Sequence, residues 1–246
     1  SNSWDEYRNS IWHRVGYVNW GYEAIGRFDS WEQIANYPVD NDRKGNRTVV
    51  PGDIMYKDQN NDGVINYLDE RPIGYRVDST PTLNFGINLS ASWKGFDLAM
   101  DWTGSGMTAW NQCYETARPF QNDGNSPDEV LKDAWHLSDI WDANSPLIPG
   151  KYPMVRLNTD ETSAYDKSSY WLHNVTYLKL RNLEVGYTFP KTWLNRTGIS
   201  NLRLFVSGTN LLTLSNLSVM DPECASDNGL DYPPMRVINI GVNLKF

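Results

Sequence analysis

The sequence predicts an all-β chain, made of C-terminal strands of a large antiparallel transmembrane β-barrel with long extracellular loops. Three observations carry this: strict apolar and polar alternation in several long stretches, short connections paired with very long ones, and abundant amphipathic aromatics. The clearest stretch runs from Arg236 to Phe246. Ile238, Ile240, Val242, Leu244 and Phe246 share one phase, while Val237, Asn239, Gly241, Asn243 and Lys245 share the other. One face is greasy and the other mostly polar, as a strand between lipid and water requires. A soluble sandwich can use the same pattern, so the other strands must decide.

Residues 82–104 repeat it. Leu83, Phe85, Ile87, Leu89, Ala91 and Trp93 alternate with polar residues, Lys94-Gly95 turns the chain, and Phe96, Leu98, Met100 and Trp102 then oppose Asp97, Ala99, Asp101 and Thr103. Trp93 and Phe96 beside the turn, and Trp102 further along, match the aromatic girdles of a membrane barrel. Residues 171–246 supply further strands: Leu183, Val185, Tyr187 and Phe189, then Leu202, Leu204 and Val206, then the last stretch. The phase slips at Arg181-Asn182, where a β-bulge or the exit from the membrane is expected. Phe205 is an apolar exception on the water-facing phase.

Residues 105–170 form a connection far longer than usual, and such loops are usually functional. Ser126-Pro127-Asp128-Glu129 reads as a helix start with Ser126 as cap. The loop is rich in Trp and Tyr, so Trp110, Tyr114 and Trp141 are candidates for stacking on a ligand, although burial in a core of the loop's own fits equally. Residues 1–81 read as a structured irregular loop region, with one short helix capped by Ser30 and Gln33. Within it, residues 58–69 resemble a twelve-residue calcium loop. Asp58, Asn60 and Asp62 take positions 1, 3 and 5, Gly63 the turn, the Val64 carbonyl position 7, Asn66 position 9 and Asp69 position 12. Three carboxylates on one centre repel one another without a cation, so a structural calcium ion is expected; an Asn/Asp-Gly turn without metal is the alternative.

The chain has 246 residues, 11 Trp, 14 Tyr, 7 Phe and a net charge of -8. That charge, with no clustered Lys or Arg, argues against a nucleic-acid partner. No apolar run is long enough for a membrane helix, and Ser1-Asn2-Ser3-Trp4 does not read as a signal peptide. His13, His136 and His173 are scattered and no catalytic motif occurs, so an enzyme is not expected. Cys113 and Cys224 lack metal-ligand spacing, and a single bridge or two free thiols both fit.

Several motifs together resemble the C-terminal part of the SusC/RagA family of TonB-linked outer-membrane transporters. They are Pro51-Gly52-Asp53-Ile54 with Tyr56-Lys57-Asp58 running into the acidic loop, Ile73-Gly74, and Trp93-Lys94-Gly95-Phe96-Asp97-Leu98. Tyr177 to Leu183, Gly186-Tyr187-Thr188-Phe189-Pro190, Ser207-Gly208-Thr209-Asn210-Leu211 and the terminal aromatic strand continue the series. The resemblance implies a barrel of roughly 22 strands closed by a plug. It also implies an outer-membrane location, a SusD-like surface lipoprotein as partner, TonB contacted through an N-terminal region that these residues do not include, and import of oligosaccharide or peptide. Five recognisable strands cannot enclose a plug, so the expectation is a piece of a larger assembly. The competing reading is a soluble calcium-stabilised carbohydrate-binding β-sandwich, which would bury Ile87, Val185 and Ile240 beneath a second layer.

Overall fold

The computed structural model describes residues 19–75, 81–157, 161–195, 198–224, 228–229 and 231–246. In chain order the strands are β1 (Asn19–Gly21), β2 (Ala24–Arg27), β3 (Ile54–Tyr56), β4 (Arg71–Gly74), β5 (Leu83–Trp93), β6 (Phe96–Asn111), β7 (His136–Leu137), β8 (Leu147–Ile148), β9 (Leu172–Thr188), β10 (Asn201–Ser215) and β11 (Val237–Lys245). The helices are α1 (Trp31–Ala35), α2 (Asp128–Lys132) and α3 (Lys191–Leu194). No helix among the described residues is long and apolar enough to cross a membrane. The chain divides into two compact units: residues 1–78 with 109–174 and 225–231, and residues 79–108 with 175–224 and 232–246.

The second unit is built on a five-stranded sheet in the order β11-β10-β9-β6-β5. Its register follows from alternation, because only one pairing puts every apolar set on one face. Ile87 sits beside Trp102, Leu89 beside Met100, Ala91 beside Leu98 and Trp93 beside Phe96. Across β10, Leu204 lies between Tyr187 and Val242, and Val206 between Val185 and Ile240. The Lys94-Gly95 turn has φ of +47° and +92°, the left-handed pair that suits a two-residue hairpin.

The predicted phase slip is present. Arg181 Nε donates to Thr103 Oγ1 at 3.0 Å and Asn182 Nδ2 to Asp101 Oδ2 at 3.3 Å, so two successive side chains reach polar residues of β6. The extra residue itself lies on β10. Between Thr209 and Leu212 the register shifts by one against Asn182 and Leu180, and Asn210 carries a φ of +54°. Phe205, the apolar exception, pairs with Gly241, and its ring occupies the space a side chain at Gly241 would need. Phe85 covers Gly104 in the same way.

The first unit holds three two-stranded sheets, β1-β4, β2-β3 and β7-β8. Short elements of this size cannot stand alone, and an aromatic core packs on β2-β3 and on the connections around them. Ile54, Tyr56, Ile65, Tyr152 and Trp171 are fully buried there, so these long connections have a core of their own. Tyr152 and Tyr165 both stack near parallel to Trp171, at 6.2 and 5.6 Å between centroids. Trp171 Nε1 donates to Ala164 O at 2.8 Å, and Tyr56 Oη to Ser163 O at 2.7 Å, which satisfies both polar ends. Helix α1 forms with the predicted cap, Ser30 Oγ accepting from Gln33 N at 3.2 Å, but Gln33 Oε1 accepts from Asp29 N at 2.7 Å, one residue before the cap amide that the expected box would use. Helix α2 starts later than expected. Pro127 is its cap residue, with extended ψ of 135°, and Ser126 makes no capping bond.

Candidate functional site

The first candidate is the apolar face of the five-stranded sheet. Ile87, Val185 and Ile240 are 45 %, 45 % and 83 % exposed, and Leu89, Leu204, Val206, Val242 and Leu244 are exposed beside them. A sandwich would bury these side chains. A soluble surface rarely leaves so many neighbouring aliphatics in water, whereas lipid accepts them. The opposite phase carries the charges. Arg203 pairs with Asp97 and, at 2.7 Å, with Glu184. Lys179, almost wholly buried, sits 2.7 Å from Asp221 and 2.8 Å from Glu223, and Arg181 also pairs with Glu223. Pairing is what makes a buried ammonium tolerable, and it ties the segment after β10 to β9.

The second candidate is the acidic loop in the first unit. Carboxylate oxygens of Asp58, Asp62 and Asp69 lie within 4.8 Å of one another. That spread suits a cation with oxygen ligands at ~2.3–2.6 Å. Gly63 makes the sharp turn with φ +84°. Backbone amides organise the acids: Asp58 accepts from Asn61 N at 2.6 Å and Gly63 N at 2.8 Å, and Asp62 from Val64 N at 2.9 Å. Asp69 accepts from Gln59 N at 2.8 Å and Asn66 N at 2.9 Å, one on each oxygen, so a bidentate seat competes with these two bonds. Asn60 and Asn66 point Nδ2 at Asp62 Oδ2, at 2.9 and 3.4 Å, and Asn66 also donates to the Val64 carbonyl at 3.2 Å. The amide dipoles thereby oppose the carboxylate charge.

Of the aromatics singled out by sequence, Trp110 is 5 % exposed and stacks on His173 at 5.7 Å. Tyr114 is half-exposed, and Trp141 is 90 % exposed. Trp141 is held out by a tight turn, with its N donating to Asp139 Oδ1 at 2.9 Å and Ser145 Oγ to Asp139 O at 2.9 Å. His173 Nε2 lies 3.0 Å from Gln112 Oε1 and His136 Nδ1 lies 2.9 Å from Ala134 O, while His13 falls outside the described residues. Cys113 and Cys224 are both half-buried, and no disulfide is formed by either.

Several organising residues had no signal in the sequence. Arg27 donates twice to Gly52 O, at 2.8 and 2.6 Å, and reaches Gly150 O at 3.1 Å, with Trp135 and Tyr170 under its guanidinium. Gly52 has φ +92°, and a side chain there would meet Trp135 Cγ at 2.5 Å, so the Pro51-Gly52-Asp53 motif is a packing hub. Asp53, fully buried, accepts from Arg156 Nη2 at 2.6 Å and Val50 N at 3.0 Å. Burial raises its pKa, and Arg156 works against that shift.

A sheet with one lipid-compatible face, one charged face, short turns and long packed connections is the wall of a membrane β-barrel. Comparison with known proteins places it more closely. The chain is 30% identical over 242 residues to TonB-dependent receptor P3 of Formosa agariphila, covering 91% of this chain and 22% of that protein. It is 24% identical over 245 residues to TonB-dependent receptor SusC of Bacteroides thetaiotaomicron, covering 95% of this chain and 20% of that protein. The chain thus spans about a fifth of the length of the curated relatives it matches. The solved structure of the RagAB peptide transporter superposes with a TM-score of 0.60 at 22% identity, over 95% of this chain and 23% of that one. No protein-family profile matches. The resemblance to SusC/RagA-type TonB-dependent receptors read from the motifs is borne out, and the fold is that of part of a large antiparallel β-barrel.

Proposed function

We propose that the chain is barrel wall and loop of a TonB-dependent outer-membrane importer of glycan or peptide oligomers, working with a SusD-like surface lipoprotein. The observation that carries this is the uncovered aliphatic face of the five-stranded sheet, backed by a charged opposite face. Similarity to receptors named TonB-dependent, SusC among them, supports the energy source and the partner. In this reading Tyr114 and Trp141 offer rings to the imported ligand, while Trp110 supports the loop from within. The carboxylates of Asp58, Asp62 and Asp69 suit a hard cation; Asn60, Val64 and Asn66 would join them once the Asn60 and Asn66 amides turn their oxygens inward, and calcium there would brace the loop rather than take part in transport.

The test is uptake by cells carrying the full-length receptor. Labelled oligosaccharides and peptides should accumulate only when TonB is present, and accumulation should fall when the SusD-like lipoprotein is deleted. Equal uptake without TonB would overturn the reading.

A further inference from the structure

The end of the sheet that carries the short turns is basic and aromatic at once. Register fixes this end: Thr188 N donates to Gly95 O at 2.7 Å, Thr188 pairs with Arg203, and Asn201 pairs with Lys245. Lys94 in the β5-β6 turn and Lys191 at the start of α3 therefore share one rim, and both are exposed; Lys245, at the same end of β11, stands on the water-facing phase. The nearby carboxylates Asp97 and Glu184 are taken by Arg203. The rim thus presents exposed ammonium groups.

Aromatic rings run along the same rim. Phe96 and Tyr187 lie 4.6 Å apart, Tyr187 and Phe189 5.1 Å, and Phe189 and Trp193 6.0 Å. Lys94 Nζ sits 4.8 Å over the Trp93 ring, beside a hollow of about 250 Å³ that Lys94, Phe96 and Thr188 also line. Trp93 and Trp193 are 68 % and 67 % exposed, too open for rings that must meet bulk water. Amphipathic rings with an adjacent ammonium fit the boundary between hydrocarbon and head groups, where the ring stays in the apolar layer and the amine reaches out.

We propose that this rim binds the phosphate head groups of anionic glycerophospholipids, with Lys94 beside the hollow as one anchor. The inference rests on the membrane-wall reading above. Two lysines from two separate segments suit single phosphates spaced along the rim, rather than one compact polyphosphorylated group such as that of lipopolysaccharide.

The full-length protein containing this chain should be placed in nanodiscs of phosphatidylethanolamine with a minority of phosphatidylglycerol, and retained lipid counted by native mass spectrometry. The wild type should keep phosphatidylglycerol, and K94Q/K191Q should lose it by about tenfold or more. K94R should hold it, and so should K132Q, a lysine outside the rim, which controls for general charge. Equal retention by wild type and the double variant, or displacement by lipopolysaccharide alone, would overturn the proposal. Failure of the wild type to insert as folded β-structure would instead sink the membrane-wall reading itself, and the lipid site with it.

Discussion

Asp42 gathers four donors: the amides of Lys44, Asn46 and Thr48 at 2.9, 2.8 and 2.7 Å, and the Thr48 hydroxyl at 2.7 Å. Burial alone would raise its pKa, but these bonds outweigh it and bring the carboxyl down to about 2. They also hold a turn in which Arg43, Gly45 and Asn46 all have φ between +59° and +71°. Because the folded value lies below the unfolded one, the stability Asp42 contributes is present above about pH 4 and is lost as pH falls through its folded pKa. Hydrogen exchange at Lys44, Asn46 and Thr48, corrected for intrinsic rate, should therefore accelerate between about pH 4 and 2 in the wild type, with no such step in Asp42→Asn. Residues of this kind are the least legible in a sequence. The donors to Asp42 are mostly backbone groups, and the acceptors of Arg27 are carbonyls, so neither leaves a side-chain pattern. Asp53 stands in a recognisable motif, yet its partner Arg156 lies 103 residues away.

At the scale of elements, alternation located the long strands but not their ends. Beyond Thr103 the run Gly104-Ser105-Gly106 erases the apolar phase, yet β6 continues to Asn111, taking Met107 through φ +55°. The short turn at Lys94-Gly95 was legible because its chemistry is local. The acidic loop was legible as a string of residues, but not its attachment: Asp40 N donates to Gly63 O at 2.8 Å and Ile65 N to Asp40 O at 3.0 Å, so the loop is joined to the turn that Asp42 holds. If calcium braces residues 58–69, chelation should raise protease sensitivity across 53–74 and, through Asp40, across 40–48. Asp62→Ala should reproduce the effect with calcium present. Should neither change alter cleavage, the loop's own amide bonds are sufficient and the metal is dispensable.

For the whole molecule, fold class was readable because lipid imposes a period that no local preference disturbs, and the cross-strand pairs confirm it over five strands. A direct test uses two adjacent residues. Ile240→Arg should cost about 2–4 kcal/mol in the folding equilibrium of the full-length protein in lipid vesicles, while Asn239→Arg on the other phase should fall close to the wild type. A matched cost at both sites would mean that lipid does not meet one face alone. The Phe205 ring lying over Gly241 carries a consequence of its own. Neither partner can drift alone: any larger residue at 241 must evict the phenyl group, and any smaller one at 205 bares a stretch of main chain. Among natural variants the two positions should change together or stay as they are, a linked inheritance written by shape rather than by charge.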